Sequence, residues 1–215
     1  MILNECIVGC KTIDGNKVVA KNRDRTYDAD AFVLHYVSSG LEYAVIFDPK
    51  TKYMEGLNAT TGIAIMNVAL MNGSDFAAAE SKEGMYIMSA LLRAKTPKQA
   101  AKMLAKDNQG VYGSTIIANE EEVLVLENVP EKPAKCIKKN VDKYPVVRTN
   151  HSEDIPNVGY TSEDGDDYIS SKTRQAVGEV MFSNADSAVG LLDALNYSVF
   201  GHHSSYDATR ETSGM

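Results

Sequence analysis

The sequence predicts an α+β domain built in layers, and three observations carry that reading. The expected elements come in blocks of strands, helices, strands and helices, not as alternating βαβ units that would feed a parallel sheet. A chain of 215 residues suits one domain with one sizeable core. Hydrophobic residues make up 44% and charged residues 24%, an ordinary globular composition that argues against a disordered chain.

Residues 7–8 and 17–21 read as two strands. Asp14-Gly15-Asn16 between them is a tight-turn signal, so residues 5–22 are expected to form a β-hairpin. Residues 32–37 and 43–47 read as two more strands, joined near Ser39-Gly40, and Asp48-Pro49 stops the second. Residues 62–70 are a continuous apolar run of strand length, which predicts a strand covered on both faces. Met85, Met88, Leu91 and Leu92 recur at helical spacing within 77–94. A second helix starts at Thr96-Pro97, where Pro suits the first turn, and runs to about Lys106. Strands at 114–118 and 123–127 flank a turn at 119–122, and 144–148 is a short strand. The basic, proline-containing stretch 128–143 reads as a loop or flap, and the acidic stretch 159–167 as a surface loop. Residues 171–181 and 187–195 read as helices, and the polar tail from Gly201 carries no clear element.

The net charge of −7 is dispersed along the chain, which argues against nucleic-acid binding, where a basic patch must displace counterions. The first ten residues lack a basic region followed by an apolar run, so no secretory signal is expected. No stretch approaches the roughly 20 apolar residues of a membrane helix. Three cysteines make an odd count without a disulfide framework, which favours a reducing, cytoplasmic setting. The histidines at 202 and 203 are sequence neighbours, and no CxxC, HExxH or phosphate-cradling glycine motif is present. Neither a metal nor a cofactor is therefore expected.

Cys6 stands at the start of the first strand. It reads either as a buried structural thiol or as a nucleophile. If residues 1–5 were removed as a short propeptide, leaving 6–215 as the domain, the α-amine of Cys6 would supply a base with a pKa of about 7.7–8.0. Lys21-Asn22-Arg23-Asp24-Arg25 ends the second strand, so Cys6 and Asp24 lie at the open end of one hairpin. There Asp24 either holds the α-amine or is a solvated strand end. Arg148-Thr149-Asn150-His151 follows a short strand. Its Asn amide can donate to an oxyanion and its His invites a Cys–His dyad, although both residue types also suit a plain turn.

Together these pieces resemble the mature start of N-terminal-nucleophile (Ntn) cysteine hydrolases. The match is to the acyl-coenzyme A:6-aminopenicillanate acyltransferase group, related to penicillin V acylase and bile salt hydrolase. Cys6, Asp14-Gly15 and Asn22-Arg23-Asp24 follow that spacing. Glu55-Gly56-Leu57-Asn58 and residues 62–67, ending at Asn67, resemble the family's GxNExGLxxxxN segment. Residues 118–130 resemble its strand pair, Thr149-Asn150-His151 its TNH motif, and Ser170-Ser171-Lys172-Thr173-Arg174 its SSxxR motif. The matches run in order over about four-fifths of the chain.

The resemblance implies a four-layer αββα sandwich and chemistry on a linear, non-peptide or short-peptide amide bond. The enzyme would be an amidohydrolase or an acyltransferase, activated by self-cleavage between Glu5 and Cys6. Cys6 is then the nucleophile and Asp24 positions its amine and thiol. Asn150 is an oxyanion donor, helped by a backbone N–H near Asn67. Lys21, Asn22, Asn67, His151 and Arg174 are supporting or substrate-binding positions, with Lys21 where bile salt hydrolases carry an arginine. The partner is a small amide or acyl substrate. The sequence departs from the pattern at Glu5, where a small residue is usual, at Ile7 for Thr, and at Ala59 for Glu. The family sheet continues past the region matching 202–213, so the C-terminal strands are expected to be missing. A homo-oligomer then covers the open edge, unless the polar tail folds back across it. Two other functional readings stay open. One is a catalytically silent relative serving as a structural or interaction subunit, the other a Cys6–His151 hydrolase that works without processing.

Overall fold

A computed structural model describes residues 6–25, 31–70, 76–105, 111–195 and 211–214, the side chains of 24–25, 76–81 and 211–214 excepted. The expected hairpin forms from β1 (Cys6–Ile13) and β2 (Asn16–Arg25). Its turn places Asp14 at φ 49° and Gly15 at φ 80°, the left-handed pair that joins two strands without splaying them. β3 (Phe32–Ser38) and β4 (Leu41–Asp48) repeat the device at Ser39 and Gly40. β5 (Tyr53–Asn58), β6 (Ile63–Val68), β7 (Gly113–Ala118), β8 (Val123–Asn128) and β9 (Lys135–Lys139) extend the second hairpin. Together they make a seven-stranded antiparallel sheet in the order β3-β4-β5-β6-β7-β8-β9. β10 (Val146–Arg148) and β11 (Glu211–Gly214) flank the first hairpin in a four-stranded sheet, β10-β1-β2-β11.

Three apolar clusters show how the layers stack. One lies between the sheets, where Cys6, Val8 and Cys10 of β1 meet Val68, Ile116, Ala118, Val123 and Val125. The second holds α1 (Phe76–Arg93) and α2 (Pro97–Leu104) on the outer face of the large sheet through Ile87, Leu91, Leu104, Ile63, Ile65, Ile117, Leu124 and Leu126. The third holds α3 (Asp166–Asn184) and α4 (Ala188–Leu195) on the small sheet through Ile7, Val147, Phe182, Leu191 and Leu195. Successive strand residues therefore alternate between two cores, as the pleat requires: Ile116 faces one layer and Ile117 the other. This is a four-layer αββα sandwich, as expected, and 62–70 does contain a strand covered on both faces.

Four local expectations change. β5 does not stand out in the sequence, because buried Glu55 and Gly56 interrupt its apolar alternation. A Cβ on Gly56 would lie 2.2 Å from the Ala44 carbonyl oxygen of β4. Residues 135–139 of the supposed loop form β9, a lysine-rich strand whose polarity fits its place at a sheet edge. Helix α3 begins at Asp166, inside the supposed acidic loop. Asp166 and Asp167 suit the positive end of the helix dipole, and a capping box between Thr161 and Asp164 closes the turn before it. In the tail, Glu211–Gly214 is not elementless but runs antiparallel to β2, pairing Thr212 with Asp24 and Gly214 with Asn22. The histidines at 202 and 203 lie outside the described residues.

Candidate active site

Antiparallel pairing of β1 with β2 sets Cys6 opposite Arg23 and Val8 opposite Lys21. Cross-strand partners share a face, so Cys6, Lys21 and Arg23 all point between the sheets. Ile7 pairs with Asn22, and this pair faces the α3–α4 layer. Asn22, expected in a supporting role, therefore leaves the strand on the side opposite the Cys6 thiol. Asp24 follows Arg23 near the end of β2, and its side chain lies outside the described ones.

Lys21 and Glu55 form an ion pair of 2.5 Å with both side chains fully buried. The other oxygen of Glu55 accepts the Tyr53 hydroxyl at 3.0 Å and the Asn67 backbone N–H at 3.1 Å. A buried carboxylate is tolerable under such satisfaction. The Arg23 guanidinium lies over the Tyr53 ring, 3.9 Å from its centroid. Burial pulls the Lys21 ammonium below its ordinary value, opposed by Glu55, and a thiolate at Cys6 would favour the charged form of both Lys21 and Arg23. Burial also pushes the Tyr53 phenol well up, which keeps it a donor to Glu55. Two buried cations thus stand on the face of β2 that meets the Cys6 thiol.

The backbone of Cys6 is gripped by side chains at both ends. Its N–H donates to Asn150 Oδ1 at 2.9 Å, and Arg174 Nη1 donates to its carbonyl at 2.6 Å. Arg174 Nη2 also donates to Asn150 Oδ1 at 3.1 Å, and Asn150 Nδ2 donates to the Ala69 carbonyl at 3.0 Å. Asn150 is expected as an oxyanion donor; in the structure its Oδ1 accepts the Cys6 N–H and its Nδ2 donates one hydrogen bond to the Ala69 carbonyl. The Asn67 N–H goes to Glu55. The Asn67 side chain accepts from Thr115 Oγ1 at 2.9 Å and donates to the Tyr112 carbonyl at 3.4 Å. Gly113 makes this seat possible, because a Cβ there would lie 2.3 Å from Asn67 Oδ1.

His151 is buried, with Nδ1 2.8 Å from Ser171 Oγ and Nε2 3.1 Å from Glu153. Burial, helped by the nearby Lys172 charge, pulls its pKa down to about 4. Both ring nitrogens are thus engaged with Ser171, Thr149 and Glu153, which removes the basis for a Cys6–His151 dyad. Thr149 and Ser171 also bond each other, so the TNH and SSxxR motifs act as one clamp that brings Asn150 and Arg174 to Cys6. Of the other thiols, Cys10 is pushed up to about 12 by burial, and Cys136 lies exposed on β9. Among the described residues no group of His, Cys, Asp and Glu could hold a metal ion, and no helix is long and apolar enough to cross a membrane.

Arg23, Tyr53, Glu55 and Glu83 join the site only in the structure. Arg23 is visible in the sequence as part of a charged run, and inward pairing with Cys6 distinguishes it from its neighbours. Glu55 and Tyr53 need β5 to be recognised first. Glu83 sits on α1, 4% exposed, and gives no signal in the helix pattern.

No protein-family profile matches the chain, and no curated protein sequence matches it. Solved structures do. A Caenorhabditis elegans N-acylethanolamine-hydrolyzing acid amidase ortholog aligns with a TM-score of 0.61 at 12% identity, covering 89% of this chain and 86% of its own. A mutant of the conjugated bile acid hydrolase from Clostridium perfringens aligns with a TM-score of 0.42 at 12% identity over 70% of this chain and 54% of its own. The fold is therefore that of the Ntn-hydrolase sandwich.

Proposed function

We propose that this chain is an Ntn cysteine amidohydrolase that matures by cutting itself between Glu5 and Cys6. The observation that carries the reading is the double grip on Cys6. Asn150 holds its nitrogen and Arg174 its carbonyl, with the cations Lys21 and Arg23 on the same face as the thiol.

In maturation the Cys6 thiolate attacks the Glu5 carbonyl carbon, and the C–N bond to Cys6 breaks as its nitrogen takes a proton. The resulting thioester is hydrolysed by water, which releases residues 1–5 and regenerates the thiol. The freed α-amine then takes the thiol proton as Sγ attacks a substrate amide, and passes that proton to the leaving amine. Water completes an amidase cycle, whereas a second amine in its place would make the chain an acyltransferase. Asn150 keeps the α-amine aimed, and Lys21 and Arg23 stabilise the thiolate.

Intact mass of the purified protein tests the maturation step. Loss of residues 1–5 in the wild type and their retention in Cys6→Ala is the expected outcome. Met1 retained in a preparation that hydrolyses amides would overturn the α-amine mechanism. The Asn67 backbone N–H, given to Glu55, favours a second reading, a silent relative that keeps the fold as an interaction subunit. Failure of a fluorogenic N-acyl amide panel, together with an uncut chain, selects it.

A further inference from the structure

We infer that Glu127 is a positioning residue of the Cys6 site: from β8 of the large sheet it clamps the chain on both sides of Asn150 and so sets that side chain against the Cys6 nitrogen. The purpose of the clamp rests on the amidase reading, whereas its test does not.

Glu127 is fully buried on β8. Strand alternation puts its side chain on the face of Val123 and Val125, the one that meets the small sheet. A carboxylate taken out of water there needs several donors. Its side-chain partners among the described residues all come from one stretch of chain, 148–154. Oε1 accepts the Glu153 N–H at 3.0 Å. Oε2 accepts the Asp154 N–H at 2.9 Å and also the Ser152 hydroxyl. On the other side of Asn150, Arg148 Nε lies 3.8 Å from Oε1, an ion-pair contact. Thr149-Asn150-His151 is therefore strung between two anchors on one carboxyl group.

The clamp joins the two sheets, because Arg148 ends β10 in the small one and Glu127 belongs to the large one. Local bonds give the turn its shape. Ser152 Oγ accepts the Ile155 N–H at 2.8 Å, and the Asn150 carbonyl accepts the Tyr160 N–H at 2.8 Å. Glu153, held by its backbone, reaches back with its side chain to His151 at 3.1 Å and to Gln175 of α3 at 3.2 Å. Glu127 then fixes where this turn starts over the large sheet. The placement matters because Asn150 Oδ1 must meet the Cys6 N–H and Arg174 Nη2 at once, and hydrogen bonds weaken steeply with misalignment. Two acceptor oxygens are what the clamp requires. Glutamine offers one, and its NH2 group opposes a donor of the turn.

The test is nuclear magnetic resonance of the full chain carrying Cys6→Ala, which stays uncut, with and without Glu127→Gln. The residue 6 amide proton should move upfield, as a donor that loses its acceptor does, and should exchange with solvent about tenfold faster. The Cys10 amide proton, in the middle of β1, should keep its position. A residue 6 resonance that stays in place overturns the inference, since a carboxyl group that only stabilised the fold would lower the urea midpoint and leave native-state positions alone. Residue 6 and Cys10 moving together would show a general loosening and overturn it too. If Glu127→Gln fails to fold, Ser152→Ala decides. It removes one donor of the clamp and should move the residue 6 proton in the same direction, and an unmoved proton overturns the inference. In the chain that keeps Cys6, the amidase reading adds that Glu127→Gln slows maturation by about 10–10², read by intact mass. A wild type that never matures would sink that reading and leave the resonance result standing, so the two failures are distinguishable.

Discussion

Asn150 shows how much a single side chain can carry at this site. Its Oδ1 accepts from both Cys6 and Arg174, so one oxygen ties the start of β1 to helix α3. Asn150→Ala frees the Cys6 nitrogen and removes an acceptor from a buried guanidinium. On the proposed amidase reading, both maturation and turnover should slow by about 10²–10³, the usual cost of one mispositioned polar group at a reacting centre. Timed intact-mass measurements read the first rate directly, and full-speed maturation would remove Asn150 from the machinery. Glu55 makes a complementary case. Glu55→Ala strands the Lys21 ammonium in a fully buried position and should cost about 3–5 kcal/mol of stability. Replacing both partners, Lys21→Met with Glu55→Gln, which keeps an oxygen for the Tyr53 hydroxyl and the Asn67 N–H, should recover part of that. Urea denaturation of the two variants checks both statements, and equal losses in the single and double variants would contradict them.

At the scale of elements, β1 is the strand that belongs to everything. Its odd and even positions serve two cores, and its ends carry Cys6 and the tight turn. Gly9 sets the spacing between β1 and α3, because a Cβ there would sit 2.3 Å from the Phe182 ring. Gly9→Ala should therefore destabilise by about 1–3 kcal/mol, and Phe182→Leu added to it should return part of the loss. Thermal unfolding of the pair tests this, and additive losses would show that the contact does not set the spacing. The first hairpin is legible in the sequence because Asp14-Gly15 specifies the turn, β1 is rich in β-branched residues and β2 carries Val18-Val19. β5 and β9 are not. One hides a buried acid and a glycine, and the other is a lysine-rich edge whose order comes from pairing with β8.

For the molecule as a whole, two buried groups set opposing responses to acid. The His151 imidazole is held neutral, with a folded pKa of about 4 against an ordinary 6.5. Its contribution to stability is complete above pH 6.5 and is lost as pH falls through 4. Glu83 is the reverse. Its folded pKa of about 7 lies above the ordinary 4.5, so its contribution is complete below 4.5 and is lost as pH rises through 7. The two slopes cancel over most of that interval. Glu83→Gln removes one slope and exposes the other. Relative to wild type, the variant should gain up to about 3 kcal/mol between pH 4.5 and 7. Urea midpoints measured at both ends test this, and parallel profiles would rule out titration of Glu83.

The sequence alone pointed to a layered α+β domain, the first hairpin and the covered strand at 62–70, while the αββα order and the grouping of Cys6, Asn150 and Arg174 came with the family resemblance of its motifs. Turn chemistry, apolar period and motif spacing are local properties, and they survive in one dimension. The tertiary structure decided which groups face Cys6. Burial and cross-strand register put Arg23 and Lys21 on its face and Asn22 on the other, a one-residue distinction that no composition reveals. It also brought Glu55 and Glu83 to Asn67 and Tyr112, from a strand and a helix far apart in the chain. Charges taken out of water are stable only where partners converge from several elements, so a buried ionic site exists only once the layers have closed around it.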